Sequence, residues 1–164
     1  MNRRSILAMA ATGLIGFCAI SMAKADEAVK FRYFGHAISF QNQEVGDADG
    51  HVVGLSRWSG LASFPDGSVG TVYWTVTSDY IKGAGSFLSY VNLTLKDGSV
   101  LWYKTTGSTK PDGTTSLFTG SVSVLGGKGR FEGAKGDGTL SGVRVGPPET
   151  GADQYGDLVI NVKK

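Results

Sequence analysis

The residues best suited to chemistry in this sequence are amphipathic aromatics with polar neighbours: Arg57-Trp58, Trp74, Asp79-Tyr80, Tyr90 with Asn92, and Trp102-Tyr103. Indole and phenol rings present apolar faces with one hydrogen-bonding group at the tip. That combination suits the wall of a site for an apolar or aromatic small molecule. Arg57, Trp58, Trp74, Tyr90, Asn92 and Tyr103 are therefore the candidate cavity residues. The same rings could equally do no more than fill a small barrel. Both readings stand at this level.

Other chemistries fail on spacing. His36 and His51 are the only histidines and stand fifteen residues apart, unlike the close ligand pairs of metal sites, so no metal is expected. Asp47-x-Asp49-Gly50 resembles a calcium loop in its first residues, but its glycine comes two positions early and no glutamate closes it. It reads as a turn. Gly54-Leu55-Ser56-Arg57-Trp58 begins like a nucleophile elbow and ends in Trp, without a strand-to-helix setting. In Gly126-Gly127-Lys128-Gly129, the glycine expected five residues before the Gly-Lys pair of a phosphate loop is missing, and Gly129 follows where Ser or Thr should. A dinucleotide fingerprint is excluded by the glycine spacing, and no cofactor is implied. Glycines at this density, through Gly133 and Gly136, mark positive-φ bends and bulges where a strand turns a corner.

The elements that must hold these residues are strands. Five Asp-Gly pairs punctuate the chain: Asp49-Gly50, Asp66-Gly67, Asp97-Gly98, Asp112-Gly113 and Asp137-Gly138. Each suits a tight turn. Between them run β-branched and aromatic residues with period two, predicting strands at Val29–Gly35, Val52–Phe64, Gly70–Tyr80, Phe87–Leu95, Val100–Tyr103, Ser116–Leu125, Thr139–Val145 and Tyr155–Val162. No stretch has a helical repeat. Phe87–Leu95 is apolar on both faces, which fits a barrel wall packed inside and covered outside. Outer-membrane barrels usually end in an aromatic residue, whereas this chain ends Asn161-Val162-Lys163-Lys164, so a soluble barrel that is not membrane-embedded is expected.

With 164 residues, 41% apolar and 18% charged, the chain has the composition of one globular domain. Residues 1–25 read as a signal peptide: Arg3 and Arg4, an apolar run, then Ala23-Lys24-Ala25 before Asp26. Arg3-Arg4-Ser5-Ile6-Leu7 fits a twin-arginine signal, and an ordinary secretory signal fits equally. Cleavage there removes three positive charges and no acids, turning a formal +2 into −1 over residues 26–164, the barrel domain. No nucleic-acid partner is indicated by that balance. Cleavage also removes Cys18, the only cysteine. Export to the periplasm or beyond follows.

The run Gly126-Gly127-x-Gly129-x-Phe131-x-Gly133-Ala134-x-Gly136, with Gly120-Ser121-Val122-Ser123-Val124-Leu125 before it, resembles the signature near the end of allene oxide cyclases and dirigent proteins. The likeness extends over about Val52 to Val145. It implies an eight-stranded antiparallel barrel with a ligand cavity, commonly a homotrimer, but it does not settle the activity. Allene oxide cyclases use a buried carboxylate and an asparagine-held water. Here Glu132 lies in the glycine motif and Glu149 in the Pro147-Pro148 loop, so the resemblance transfers no catalytic residue. The leading expectation is a secreted barrel that binds a small hydrophobic or aromatic ligand without a cofactor. The alternatives are a cofactor-free cyclase or isomerase in the same cavity, and a structural or interaction protein with a filled barrel.

Overall fold

The computed structural model describes residues 26–147 and 150–163. The expected export segment, residues 1–25, lies outside them, as does Pro148 of the Pro147-Pro148 pair. Eight antiparallel strands follow in order: β1 Glu27–Glu44, β2 His51–Ser63, β3 Val69–Ile81, β4 Ala84–Thr94, β5 Val100–Asp112, β6 Thr115–Lys128, β7 Lys135–Arg144 and β8 Gln154–Lys163. Each pairs with its neighbour in sequence, and β8 returns to β1, closing the barrel. Every predicted strand is present. β1 and β5 run well past their predicted ends. Beyond Gly35, β1 continues to Glu44 on its pairing with β2 alone, whereas β5 is paired on both edges through Thr109, which carries it across Gly107, a residue of weak strand propensity.

Four of the five Asp-Gly pairs lie at strand ends. Asp66 and Asp97 occupy matching turns, in which each Oδ1 accepts the amide of the serine two residues on, at 2.9 Å in both cases. The fifth pair is a correction. Asp137-Gly138 lies inside β7, opposite Asn161 and Ile160. A Cβ at Gly138 would stand 2.1 Å from the Val159 carbonyl oxygen, so glycine is there to let β8 approach closely. Conversely, Lys82-Gly83 makes the two-residue β3–β4 turn without an Asp-Gly signal. Both residues have positive φ, 52° and 80°, as a primed hairpin turn requires.

Two bulges shape the wall. In β1 the register slips between Ala37 and Ser39, leaving Ile38 as the extra residue. In β6 it slips across from Trp102 and Tyr103, leaving Leu125 extra. Because side chains alternate with period two, one extra residue exchanges the faces that follow. Before the β1 bulge Val29, Phe31 and Tyr33 are buried; beyond it, Phe40 and Asn42 point inward.

The end of the barrel carrying the β2–β3 and β4–β5 turns is filled. Val72, Leu93, Leu101, Ile160 and Val162 meet there with at most 2% exposure, and Phe131 seals the base at 0%. Phe131 ends a 3-10 turn, Gly129–Phe131, which the glycine motif bends across the barrel bottom. Gly129 and Gly133 have φ of 62° and 73°. A Cβ on Gly129 would also meet Ser99 Oγ at 2.6 Å, whereas one on Gly133 would meet nothing within 4 Å. Gly133→Ala should therefore cost about 1 kcal/mol of backbone strain, and Gly129→Ala more. Urea denaturation tests this ranking. Two variants as stable as the parent would show that the motif does not act through these bends.

Candidate ligand-binding cavity

The opposite end of the barrel is open. A cavity of about 310 Å3 runs inward from the rim formed by Gly50 and Gly83, which belong to the β1–β2 and β3–β4 connections. Its apolar wall comes from one inward residue on each of six strands: Phe40, Trp58, Val76, Phe87, Phe118 and Leu140. Period-two alternation puts these side chains inside, and the short Ser56, Ser78 and Ser89 that share their faces leave the upper bore unfilled.

A ladder of rings separates the open and filled parts. Phe40 meets Trp58 edge to face at 5.6 Å. Trp58 stacks on Trp74 at 5.7 Å and 10°, and Trp74 meets Tyr33 edge to face at 5.4 Å. Such pairs add to area burial and fix ring orientation. Trp58 also donates Nε1–H to Ser56 Oγ at 2.8 Å, which leaves its ring face to the cavity. Trp74 and Tyr103 are buried, 8% and 2% exposed, in the packed interior and not on the wall of this cavity. Burial pushes the Tyr103 phenol well above its usual range.

Of the six candidate cavity residues, only Trp58 lines this cavity. All six, Arg57, Trp58, Trp74, Tyr90, Asn92 and Tyr103, border a second, more open hollow in the wall together with Tyr73 and Trp102, and Arg57, Tyr90 and Asn92 do so from the outer face. Tyr90 is 56% exposed. The reason is parity. Trp74 shares the inward face of β3 with Val72 and Val76, whereas Tyr90 and Asn92 fall between the inward Phe87, Ser89, Val91 and Leu93 of β4. Choosing aromatics by type mixed two faces of the wall. Placing every choice on the face of Phe87 would have found Phe87 and Ser89. Phe40 and Asn42 lie beyond the unforeseen bulge and had no such signal.

Polar groups gather near the mouth. Tyr80 Oη and Thr109 Oγ1 are 3.1 Å apart. Gln154 Nε2 reaches Tyr33 Oη at 3.5 Å, and Arg144 Nη2 donates to Ser116 Oγ at 3.0 Å. Burial raises the Tyr33 and Tyr80 phenols, so both stay protonated and act as hydrogen-bond donors or acceptors. Asn42 and Ser78 complete the set, and among the described residues no Asp or Glu lines the cavity. Among the described residues, no group of three His, Cys, Asp or Glu side chains is placed to hold a metal ion.

The rim is held by His51, which anchors the β1–β2 connection. One ring nitrogen bonds Asp47 Oδ1 at 2.5 Å and the other Asp79 Oδ1 at 2.8 Å. Two acceptors can be satisfied together only by the imidazolium, so the bonds to Asp79 and then Asp47 hold His51 above its ordinary value. The bond from His51 likewise holds Asp47 below the usual carboxylate value. A raised His stabilises the fold fully below its unfolded value, about 6.5, and loses that contribution as pH rises through the native value. The bridge should therefore be intact under mildly acidic conditions and weaken above neutrality. An NMR titration of the His51 ring should give a midpoint above the model-peptide value, and Asp79→Asn should lower it. A midpoint at or below that value would remove the double bridge.

No protein-family model matches the chain, and no curated protein sequence matches it. Solved structures do. The pterocarpan synthase dirigent protein PsPTS1 superposes with a TM-score of 0.57 at 14% identity, over 86% of this chain and 96% of that one. The pterocarpan synthase dirigent protein GePTS1 gives 0.53 at 16% identity, over 87% and 86%. At that identity the likeness is one of architecture: the chain has the closed eight-stranded barrel fold of the dirigent proteins.

Proposed function

We propose that this protein is an exported barrel that binds one small apolar or aromatic molecule, without a cofactor, in the open end of its interior. The observation that carries this reading is the cavity of about 310 Å3, walled by Phe40, Trp58, Phe87 and Phe118 with polar groups near its mouth. Pockets of this size with an apolar wall and a few placed polar groups suit drug-sized ligands. An open upper bore counts against the filled structural barrel.

Catalysis in the same cavity is the second reading, favoured by the likeness to barrels named pterocarpan synthases. With no carboxylate in the lining among the described residues, proton chemistry would fall to Tyr33 and Tyr80, whose raised values keep them neutral. Neutral phenols hold and orient a ligand better than they remove a proton, so binding is preferred. Export to the periplasm or exterior rests on Arg3-Arg4 and Ala23-Lys24-Ala25. Assembly as a homotrimer would cover exposed outer rings such as Tyr73 and Tyr90, 55% and 56% exposed.

The neutral fluorophore N-phenyl-1-naphthylamine should bind saturably and quench tryptophan emission, with half-saturation at micromolar concentration, roughly −8 kcal/mol. Val76→Phe, which fills the cavity, should weaken binding about tenfold or more while the protein stays folded. Tyr90→Ala, on the outer face, should change it by less than about twofold. Absence of a saturable signal, or a larger loss in Tyr90→Ala than in Val76→Phe, would overturn the proposal.

A further inference from the structure

Among the described residues, the cavity contains one charged side chain. Arg144 ends β7, between Ser116 of β6 and Gln154 of β8, and lines the bore near its mouth. Its one hydrogen bond among the described residues goes to Ser116 Oγ, at 3.0 Å. Arg32 and Arg130 have carboxylate partners, Asp157 at 2.7 Å and Glu27 at 3.3 Å, but Arg144 has no ion pair among the described residues. Four acids at this end of the barrel are engaged elsewhere, Asp47 and Asp79 with His51, Asp49 with Lys82, and Asp153 with His36, and neither Glu44 nor Asp112 lines the cavity.

A half-buried guanidinium at the mouth of the cavity has lost part of its hydration without gaining a counter-charge among the described residues, an arrangement that disfavours the empty state. It is relieved by an anion. Guanidinium offers a planar fork of donors that matches a carboxylate with two parallel hydrogen bonds, and a low local dielectric strengthens that pair. The neighbouring groups are also suited to an oxyanion: Tyr80 carries a protonated phenol, and Asn42 and Gln154 carry amide N–H donors. Below this polar mouth the wall turns aromatic, with Phe40, Trp58, Phe87 and Phe118. Charge lies at one end and rings at the other, so the cavity has a direction.

We infer that the ligand is an aromatic carboxylic acid of one or two rings, seated ring-first against Trp58 and Phe118 with its carboxylate on Arg144. This rests on the proposed binding function and specifies its ligand class. The volume of about 310 Å3 sets the size, and among the described residues no acid in the lining repels an anionic ligand. The second hollow also carries an arginine, Arg57, on the outer surface, and supplies the control.

The experiment is displacement of N-phenyl-1-naphthylamine by 1-naphthaleneacetate and by 1-naphthaleneacetamide, two competitors of the same shape that differ in charge. In the parent protein the acid should displace the probe at a concentration at least about tenfold lower than the amide. In Arg144→Gln the two should converge, while affinity for the neutral probe stays within about threefold. Arg144→Lys, which keeps the charge and loses the fork, should retain part of the preference. Arg57→Gln should retain all of it.

Equal displacement by acid and amide in the parent protein overturns the inference and leaves ligand binding standing. A preference that survives Arg144→Gln, or disappears in Arg57→Gln, overturns it too. Failure of the neutral probe to bind the parent at all removes the binding function and this inference together. The parent comparison needs no variant to fold, so it decides the matter even if Arg144→Gln is unstable.

Discussion

Closure of the sheet is the constraint on which the rest of this structure depends. β1 is hydrogen-bonded to β2 on one edge and to β8 on the other, so the wall has no free edge and its circumference is set by eight strands. Once the bore is fixed, the inward side chains decide whether it is solid or hollow. At the end sealed by Phe131, branched aliphatic residues meet across it and exclude solvent. Toward the other end the inward positions of β2, β3 and β4 include Ser56, Ser78 and Ser89, which are too short to meet in the middle. The cavity is a consequence of small inward residues on a wall of fixed size.

Charge is distributed by the same geometry. Arg32 and Asp157 form a two-bond pair on the outside, at 2.8 and 2.7 Å, where solvent screening leaves it a modest contributor to stability. The turn carboxylates Asp66 and Asp97 accept hydrogen bonds from the serines that follow them, and those bonds hold both below the usual carboxylate value. Asp47 and Asp79 are occupied by His51 at the rim. Among the described residues these acids lie on turns and outer faces, and the one charged group lining the bore is Arg144.

The two bulges connect the wall to the cavity. Without the extra residue at Ile38, the inward set that starts at Val29 would continue through odd-numbered positions, and Phe40 and Asn42 would face solvent. Ile38 instead stands outside, 56% exposed, and Leu125 does the same at the second bulge, 53% exposed. Each bulge exposes one apolar residue while redirecting those that follow it. Phe40 on Trp58 and Trp58 on Trp74 make the aromatic ladder, so a local slip in one strand positions a side chain central to the site.

Strand number, antiparallel order and most turns were legible in the sequence, because they depend on local chemistry: period-two alternation from Gly70 to Tyr80, and Asp-Gly where positive φ is needed. Asp137-Gly138 was misread as a turn and Lys82-Gly83 went unread, since a dipeptide's preference yields to the strands pairing around it. Residue type alone identified Trp58 as a wall residue but could not separate it from Tyr90, because both are aromatic residues in strands and only the wall's parity separates inside from outside. Arg144 carried no local signal at all. Its significance comes from what stands around it: Ser116 and Gln154 from the strands on either side, Tyr80 from the far wall, and among the described residues no acid in the lining. Ser116 and Gln154 are its partners in the adjacent hairpins, but Tyr80 and the aromatic wall of β1 to β4 face it only when β8 closes on β1, so sequence determined the wall and tertiary closure decided which side chains share its interior.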